Sequence, residues 1–460
     1  MKSLKNYLYQ FSYQLLNLIV PLVTLPYITK RLGAENYGIY VYTFTIISYL
    51  VLFTDFGLRV YGSRKISYER DNLIKKTNCF WNIFFTKFFL SLVIFFLAIC
   101  IFLYKNMPLI YWLQLLSVII SILDISWFYQ GIEKFKEIAL RNLIIKIIFI
   151  ILIFVFIKNS TDLNFYVIIV LLTNFVGNLI FYISLKNEIM KPQFKEIKIF
   201  KTMKESMDLF VPEIAIKLYT SMDRIMLGYF LLKEDVSYYD IANKFLIIVM
   251  IGITTFGSIM LPKIANLFQK NEQNEIKKIL KNTIDYFMML SIPLIFGILG
   301  TSQDLVSKFL GKDYLEVVPV INLMSFTIIF WTLNNITGSQ ILIPTMKEKI
   351  LTKSVFIGAI LNLVLNLILI KKIGLLGVVI ATFLTEGVVS GIQIYYSKEY
   401  LKFDFKKILK YVLSSLIMFF LIIKIQGLFI KIFIGISVYL TLMVILKELS
   451  LKKIKVLVLG

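Results

Sequence analysis

Residues 79–103 read CFWNIFFTKFFLSLVIFFLAICIFL, a run whose only charge is Lys87. As a helix rising 1.5 Å per residue, the run reaches about 37 Å, more than the roughly 30 Å of hydrocarbon in a bilayer. Reading outward from it, comparable apolar runs recur at 10–28, 39–57, 109–130, 141–157, 165–185, 208–231, 238–261, 284–301, 317–341, 354–370, 374–397, 409–425 and 428–446. The whole chain has 58% hydrophobic and 17% charged residues over 460 positions. A soluble domain has roughly 45–50% and about 25%. The expected fold is therefore an all-α integral membrane protein with about fourteen transmembrane helices. A soluble enzyme and a disordered chain are excluded. So is a nucleic-acid binder, despite a net charge of +22, because the lysines lie in short loops between apolar runs.

Several chemistries drop out by composition. Histidine is absent, which removes histidine-based triads and histidine-ligated metal sites. The two cysteines, Cys79 and Cys100, share one helical run and read as small apolar side chains. No Gly-x-x-x-x-Gly-Lys-Ser/Thr phosphate loop occurs, so the chain carries no ATPase of its own. Neither a cofactor nor a metal is expected, and the short loops leave no room for an extramembrane catalytic domain. The expectation is a protein that is not an enzyme.

Loop charge orients the spans. Alternate loops counted from the N-terminus hold 33 Lys/Arg residues and the intervening ones 10. Basic loops stay in the cytoplasm, so both termini are expected there. In 191–207, Phe194, Ile197, Phe200, Met203 and Met207 recur at steps of three or four beside a stripe of Lys195, Lys198, Lys201 and Lys204. That pattern reads as an interfacial helix on the anionic inner leaflet, and 264–281 repeats it more weakly. Trp81, Trp112 and Trp127 lie near span ends and read as interfacial anchors. The organisation follows: a six-helix lobe over 1–186, a cytoplasmic interfacial linker helix over 187–207, a second six-helix lobe over 208–397, and two further helices with a cytoplasmic tail over 398–460. Spans one and seven share a design, Pro21 to Arg31 and Pro212 to Arg224, as parallel repeats with a cavity between the lobes would.

Span seven holds Glu213, Lys217, Asp223 and Arg224 in a helix that must cross lipid. A charge at a helix centre costs about 2.5–3.5 kcal/mol on insertion scales, so the four must face protein or water. Glu213 and Lys217, four apart, read either as a structural ion pair or as part of a site. Lys217 and Arg224, seven apart, project positive charge to one side. The chain has six arginines against 44 lysines, so an arginine at 224 points to planar two-point recognition of phosphate or carboxylate. Gln14, Asn17, Asn174, Asn178, Asn362 and Asn366 read as interhelical hydrogen-bonding groups. Lys87, Asp124, Lys146, Asp240, Lys244, Asp285 and Glu386 either line a hydrated path or snorkel.

These residues resemble a known family. Pro26-x-x-x-x-Arg31-Leu32-Gly33-x-x-x-Tyr37-Gly38-Ile39-Tyr40, Asp55-Phe56-Gly57-Leu58 with Arg64, and Trp127-Phe128-Tyr129-Gln130-Gly131-x-Glu133 are similar to stretches of the Wzx-type flippases of lipid-linked oligosaccharides. So are Tyr219-Thr220-Ser221-Met222-Asp223-Arg224-Ile225-Met226-Leu227-Gly228, Phe309-Leu310-Gly311-x-x-Tyr314 and Gly374-x-x-Gly377-x-x-x-Ala381-Thr382. The departure is Ser237, where a glycine often precedes the tyrosine.

The resemblance implies the two-lobed fold of the multidrug/oligosaccharidyl-lipid/polysaccharide exporter superfamily, in a bacterial cytoplasmic (inner) membrane. It implies a polyprenyl-pyrophosphate-linked oligosaccharide as substrate and the lipid bilayer and polysaccharide polymerase machinery as partners. Arg31, Lys217, Arg224 and Lys244 are the expected substrate-binding cations. Glu213, Asp223 and Glu386 are the candidates for a coupling ion. Two rivals stay open: a drug/cation antiporter of the same superfamily, and a membrane-embedded glycosyltransferase or polymerase.

Overall fold

The computed structural model describes the backbone of residues 2–270 and 272–449 and their side chains, other than those of 2–19, 258 and 259. Gln14 and Asn17 fall outside the described side chains. Among the described residues the chain is helical throughout, with no strand. In the first half, α1 (Lys2–Asp55), α2 (Leu58–Glu69), α3 (Leu73–Tyr104), α4 (Leu109–Ile122), α5 (Ser126–Gly131), α6 (Phe135–Phe156), α7 (Leu163–Leu185) and α8 (Ile199–Phe230) follow in order. Then come α9 (Lys233–Gln269), α10 (Gln273–Phe309), α11 (Val317–Ser325), α12 (Thr327–Asn334), α13 (Glu348–Ser397), α14 (Phe405–Ile422) and α15 (Leu428–Ile445). A π-helical stretch, Asn335–Leu342, extends α12.

Two helices are too long for one crossing. The 54 residues of α1 and the 50 of α13 would reach about 75–80 Å if straight. Each is broken at a glycine: Gly33 (φ 80°) in α1 and Gly374 (φ 60°) in α13. Only glycine enters that region without a Cβ penalty. Among the described residues nine helices are long and apolar enough to cross a membrane, or ten counting the pair bent by 43° at Phe326 as one.

The chain divides into two compact units, Met1–Ser237 and Tyr238–Gly460. In the first, α1 packs on α3, α4, α6 and α8, and α7 on α4 and α6. In the second, α10 packs on α11, α14 and α15, and α13 on α11 and α12. Span seven, as α8, clusters with the first unit.

Three expectations change. The linker stripe does not ride on one helix. After α7 the chain runs without α-helix to Lys198, apart from one 3₁₀ turn at Phe194–Glu196, and α8 begins at Ile199 and continues through span seven. Pro192 lacks an N–H for a helical ladder, and α3 takes over the backbone groups. Asn82 accepts from the Lys198 amide at 2.5 Å and donates to the Glu196 carbonyl at 3.0 Å, and Trp81 donates to the Met190 carbonyl at 2.9 Å. Phe194 and Phe200 stay largely exposed, so the amphipathic character survives without the helical period. Segment 264–281 is likewise divided, between the end of α9 and the start of α10. Trp127 is no interfacial anchor. It is buried, with its ring 5.5 Å from that of Phe80, in an aromatic core completed by Phe128, Tyr129 and Phe181. The small residues around it explain why: a Cβ on Gly62 would come 2.6 Å from the Trp127 ring.

Candidate functional site

Within the first unit, α1, α3, α4, α6, α7 and α8 line a half-open cavity of about 430 Å³. Its charged lining is Asp55, Lys87, Asp124, Arg141 and Lys217, with Ser48, Ser117, Ser121, Asn174 and Asn178 adding neutral polar groups. Three cations face two carboxylates. Lys87 lies on α3 with its side chain 5% exposed and binds the Asp55 carboxylate at 2.6 Å. Asp124 accepts from the Ser126 amide at 2.9 Å and lies within electrostatic reach of Lys87 and Arg59.

Arg141 is the most tightly positioned of the cations. Nε donates to the Gly177 carbonyl at 2.9 Å, Nη1 to Asn142 Oδ1 at 2.9 Å and Nη2 to Asn178 Oδ1 at 2.7 Å. Its guanidinium carbon lies 5.0 Å from the Phe181 ring centroid, a cation–π distance. Asn178 in turn donates to the Ile120 carbonyl at 3.1 Å, tying α7 to α4. Lys217 lies half-buried on α8, with its ammonium 5.7 Å from the Tyr49 ring centroid. The Tyr49 hydroxyl donates to the Lys217 carbonyl at 3.0 Å, which fixes α8 against α1. A carboxylate or phosphate entering this cavity meets ammonium and guanidinium donors in a partly dry surround, where charge-assisted bonds are strongest.

The expected site residues are only partly gathered here. Lys217 lines the cavity, but it forms no ion pair with Glu213, which lies instead within reach of Asp55 and Arg59. Arg224, two turns further along α8, donates to the Thr220 carbonyl at 3.0 Å, and Asp223 beside it is buried. Arg31 stands apart: it is exposed, 5.4 Å from the Tyr27 ring centroid and 3.5 Å from the Lys158 carbonyl. Lys244 and Glu386 belong to the second unit. Lys244 pairs with Asp240 at 2.7 Å. Glu386 is buried and accepts from Trp331 at 2.8 Å and Asn334 at 2.9 Å. Asp285 pairs with Lys407, and Asn366 donates to Asn362 at 3.0 Å.

Arg141 was missed by sequence reasoning. It counts there as a loop charge at the edge of a span starting at 141, whereas α6 starts at Phe135 and carries it well inside. Its signal was present: arginine is as rare at 141 as at 224.

The motif glycines position α8. A Cβ on Gly38 would fall 1.7 Å from the Lys233 carbonyl oxygen, and one on Gly228 would fall 2.1 Å from the Tyr42 ring. Lys233 spans the same contact, its ammonium 3.7 Å from the Tyr42 ring centroid and bonded to the Gly228 carbonyl. Approach this close packs the end of α8 and the start of α9 against α1.

Solved structures share this multi-pass helical architecture. The fold is that of the lipid II flippase MurJ in an inward closed conformation (TM-score 0.79, 17% identity, 97% of this chain and 99% of that one). It is also that of an inward-facing multidrug resistance MATE transporter (TM-score 0.64, 11% identity, 82% and 94%). Residues 3–268 match the polysaccharide biosynthesis protein family, and the chain belongs to that family. Among its relatives is an Escherichia coli K12 protein assigned as an O-antigen transporter, 23% identical over 85% of this chain and 95% of its own length. Another, assigned as a low-salt glycan biosynthesis flippase in Haloferax volcanii, is 29% identical over 56% of this chain and 57% of its own.

Proposed function

We propose that the protein is a flippase, carrying polyprenyl-pyrophosphate-linked oligosaccharide units from the cytoplasmic to the outer face of the membrane for surface polysaccharide assembly. Family membership supports the class of substrate. The cavity of the first unit carries the reading to residues: a pyrophosphate–sugar head cannot cross hydrocarbon unaided, and Lys87, Arg141 and Lys217 offer it cations at membrane depth. A polyprenyl tail needs no such site, because it stays in lipid. Arg31, Arg224 and Lys244 are proposed to contact the substrate along its path, and Glu213, Asp223 and Glu386 to serve a coupling ion. No covalent step is required, so the protein acts as a transporter and not as an enzyme.

The proposed setting is a bacterial inner membrane with both termini cytoplasmic and fourteen crossings, counting two each for α1 and α13. Polysaccharide polymerase machinery is the proposed downstream partner. The lobes are proposed to comprise 1–186 and 208–397, joined by 187–207, with 398–460 accessory.

Lipid-linked sugars extracted from a deletion strain test the function. Complete units accumulating on polyprenyl pyrophosphate, shielded from reagents at the outer face, are expected. Shortened units would indicate a glycosyltransferase. Intact polysaccharide with new sensitivity to toxic cations would indicate an antiporter.

A further inference from the structure

The cation that the cavity buries most deeply is already engaged. Lys87 spends its charge on Asp55 at 2.6 Å, and that carboxylate, 25% exposed, is the more accessible partner. Both groups line the cavity proposed to receive the diphosphate. We propose that Asp55 competes with the substrate: it holds Lys87 until the phosphates displace it, and so sets how tightly the head group is held. The inference rests on the flippase reading of the cavity and assigns that cavity an affinity-setting carboxylate.

The charge count gives the idea its consequence. Lys87, Arg141 and Lys217 against Asp55 and Asp124 leave one net positive charge in the lining. Glu213 from α8 lies within reach of Asp55 and of Arg59 from α2, and the charges of Glu213 and Arg59 cancel each other. A diphosphate diester adds two negative charges, and the loaded cavity would carry one negative charge with no partner. Charge in a confined site is costly unless compensated, so the displaced carboxylate opposes binding and lowers affinity. Asp55 is the group that has lost its counter-ion, whereas Asp124 keeps the Ser126 amide. A carrier gains from this arrangement, because an internal competitor lowers affinity and lets the head group leave.

The test uses the full chain in nanodiscs at neutral pH and a farnesyl diphosphate-linked monosaccharide, whose diphosphate carries two negative charges. Asp55→Asn is expected to bind at least tenfold more tightly than wild type and to transport more slowly. Asp55→Glu is expected to restore wild-type behaviour, and Lys87→Met in the Asp55→Asn background to abolish the gain. Should Asp55→Asn fail to fold, Asp55→Ser, which also removes the charge, takes its place. Binding by wild type that the charge-removing variant does not tighten overturns the competitor and leaves the flippase reading standing. No binding by wild type overturns both.

Discussion

Replacing Arg141 is the sharpest test of the cavity, because the structure assigns its side chain to both fold and site. Arg141→Ala removes two bonds from α6 to α7, at 2.9 and 2.7 Å, and the contact with Phe181. Interhelical polar contacts in membranes average about 0.6 kcal/mol and reach about 1.7, and a cation–π contact adds about 0.5–2. The expected loss is about 2–4 kcal/mol. For a unit of this size each kcal/mol moves a midpoint by about 2–4 °C, so a fall of about 4–16 °C is expected. Fluorescence-detected size exclusion after heating in detergent reads it directly. Arg141→Lys keeps the charge but not the fork, and about half the loss is expected, with transport reduced. Gly177→Ala approaches the same interaction from the other side, since its new Cβ would lie 2.9 Å from Arg141 Nη2. If Arg141→Ala melts and transports like wild type, the guanidinium does not organise the cavity and the assignment fails.

Arg224→Ala is expected to abolish transport while the protein stays in the membrane, and Arg224→Lys to retain part of it; repeat-unit export in a complemented deletion strain measures both. Reporter fusions after residues 70, 200 and 275 are expected to report inside, and those after 32, 234 and 310 outside; fusions at 200 and 234 on one side would defeat the topology. Gly38→Ala forces a Cβ into the Lys233 carbonyl, so lower stability and lost transport are expected although no charge changes. Burial alone would raise the Glu188 carboxyl, but Lys134 and Lys76 outweigh it and hold it below the usual carboxylate range. Its folded value is depressed, so its stabilisation is present at neutral pH and is lost as pH falls through that value. Thermal midpoints of wild type and Glu188→Gln are therefore expected to differ at pH 7 and to converge in acid.

What the sequence revealed, and what it hid, follows from the reach of each physical signal. Apolar run length is a local property set by bilayer thickness, so the membrane-spanning helical class was legible; Gly33 falls in the interval read as a break between 28 and 39, and Gly374 opens the span read from 374. Burial inside the unit is not local. Trp127 has the sequence position of an anchor, but Gly62 makes room for it in the core, and nothing in a single stretch links residue 62 to 127. The linker failed for a related reason: the steps of three and four in 194–207 satisfy a helical period, while Asn82 and Trp81, on another helix, claim the backbone that a helix would need. The site combines both cases. Lys217 was visible because a lysine inside a span demands an explanation. Arg141 sat at a boundary placed about two turns late, where charge is ordinary, and Asp55 ended a span, where snorkelling suffices. Only packing α1, α3 and α6 around one volume turns three boundary or isolated charges into a set. A polar site inside a membrane protein is therefore best sought among charges within two turns of a span end as well as at span centres, with the rarer cation, here arginine, examined first.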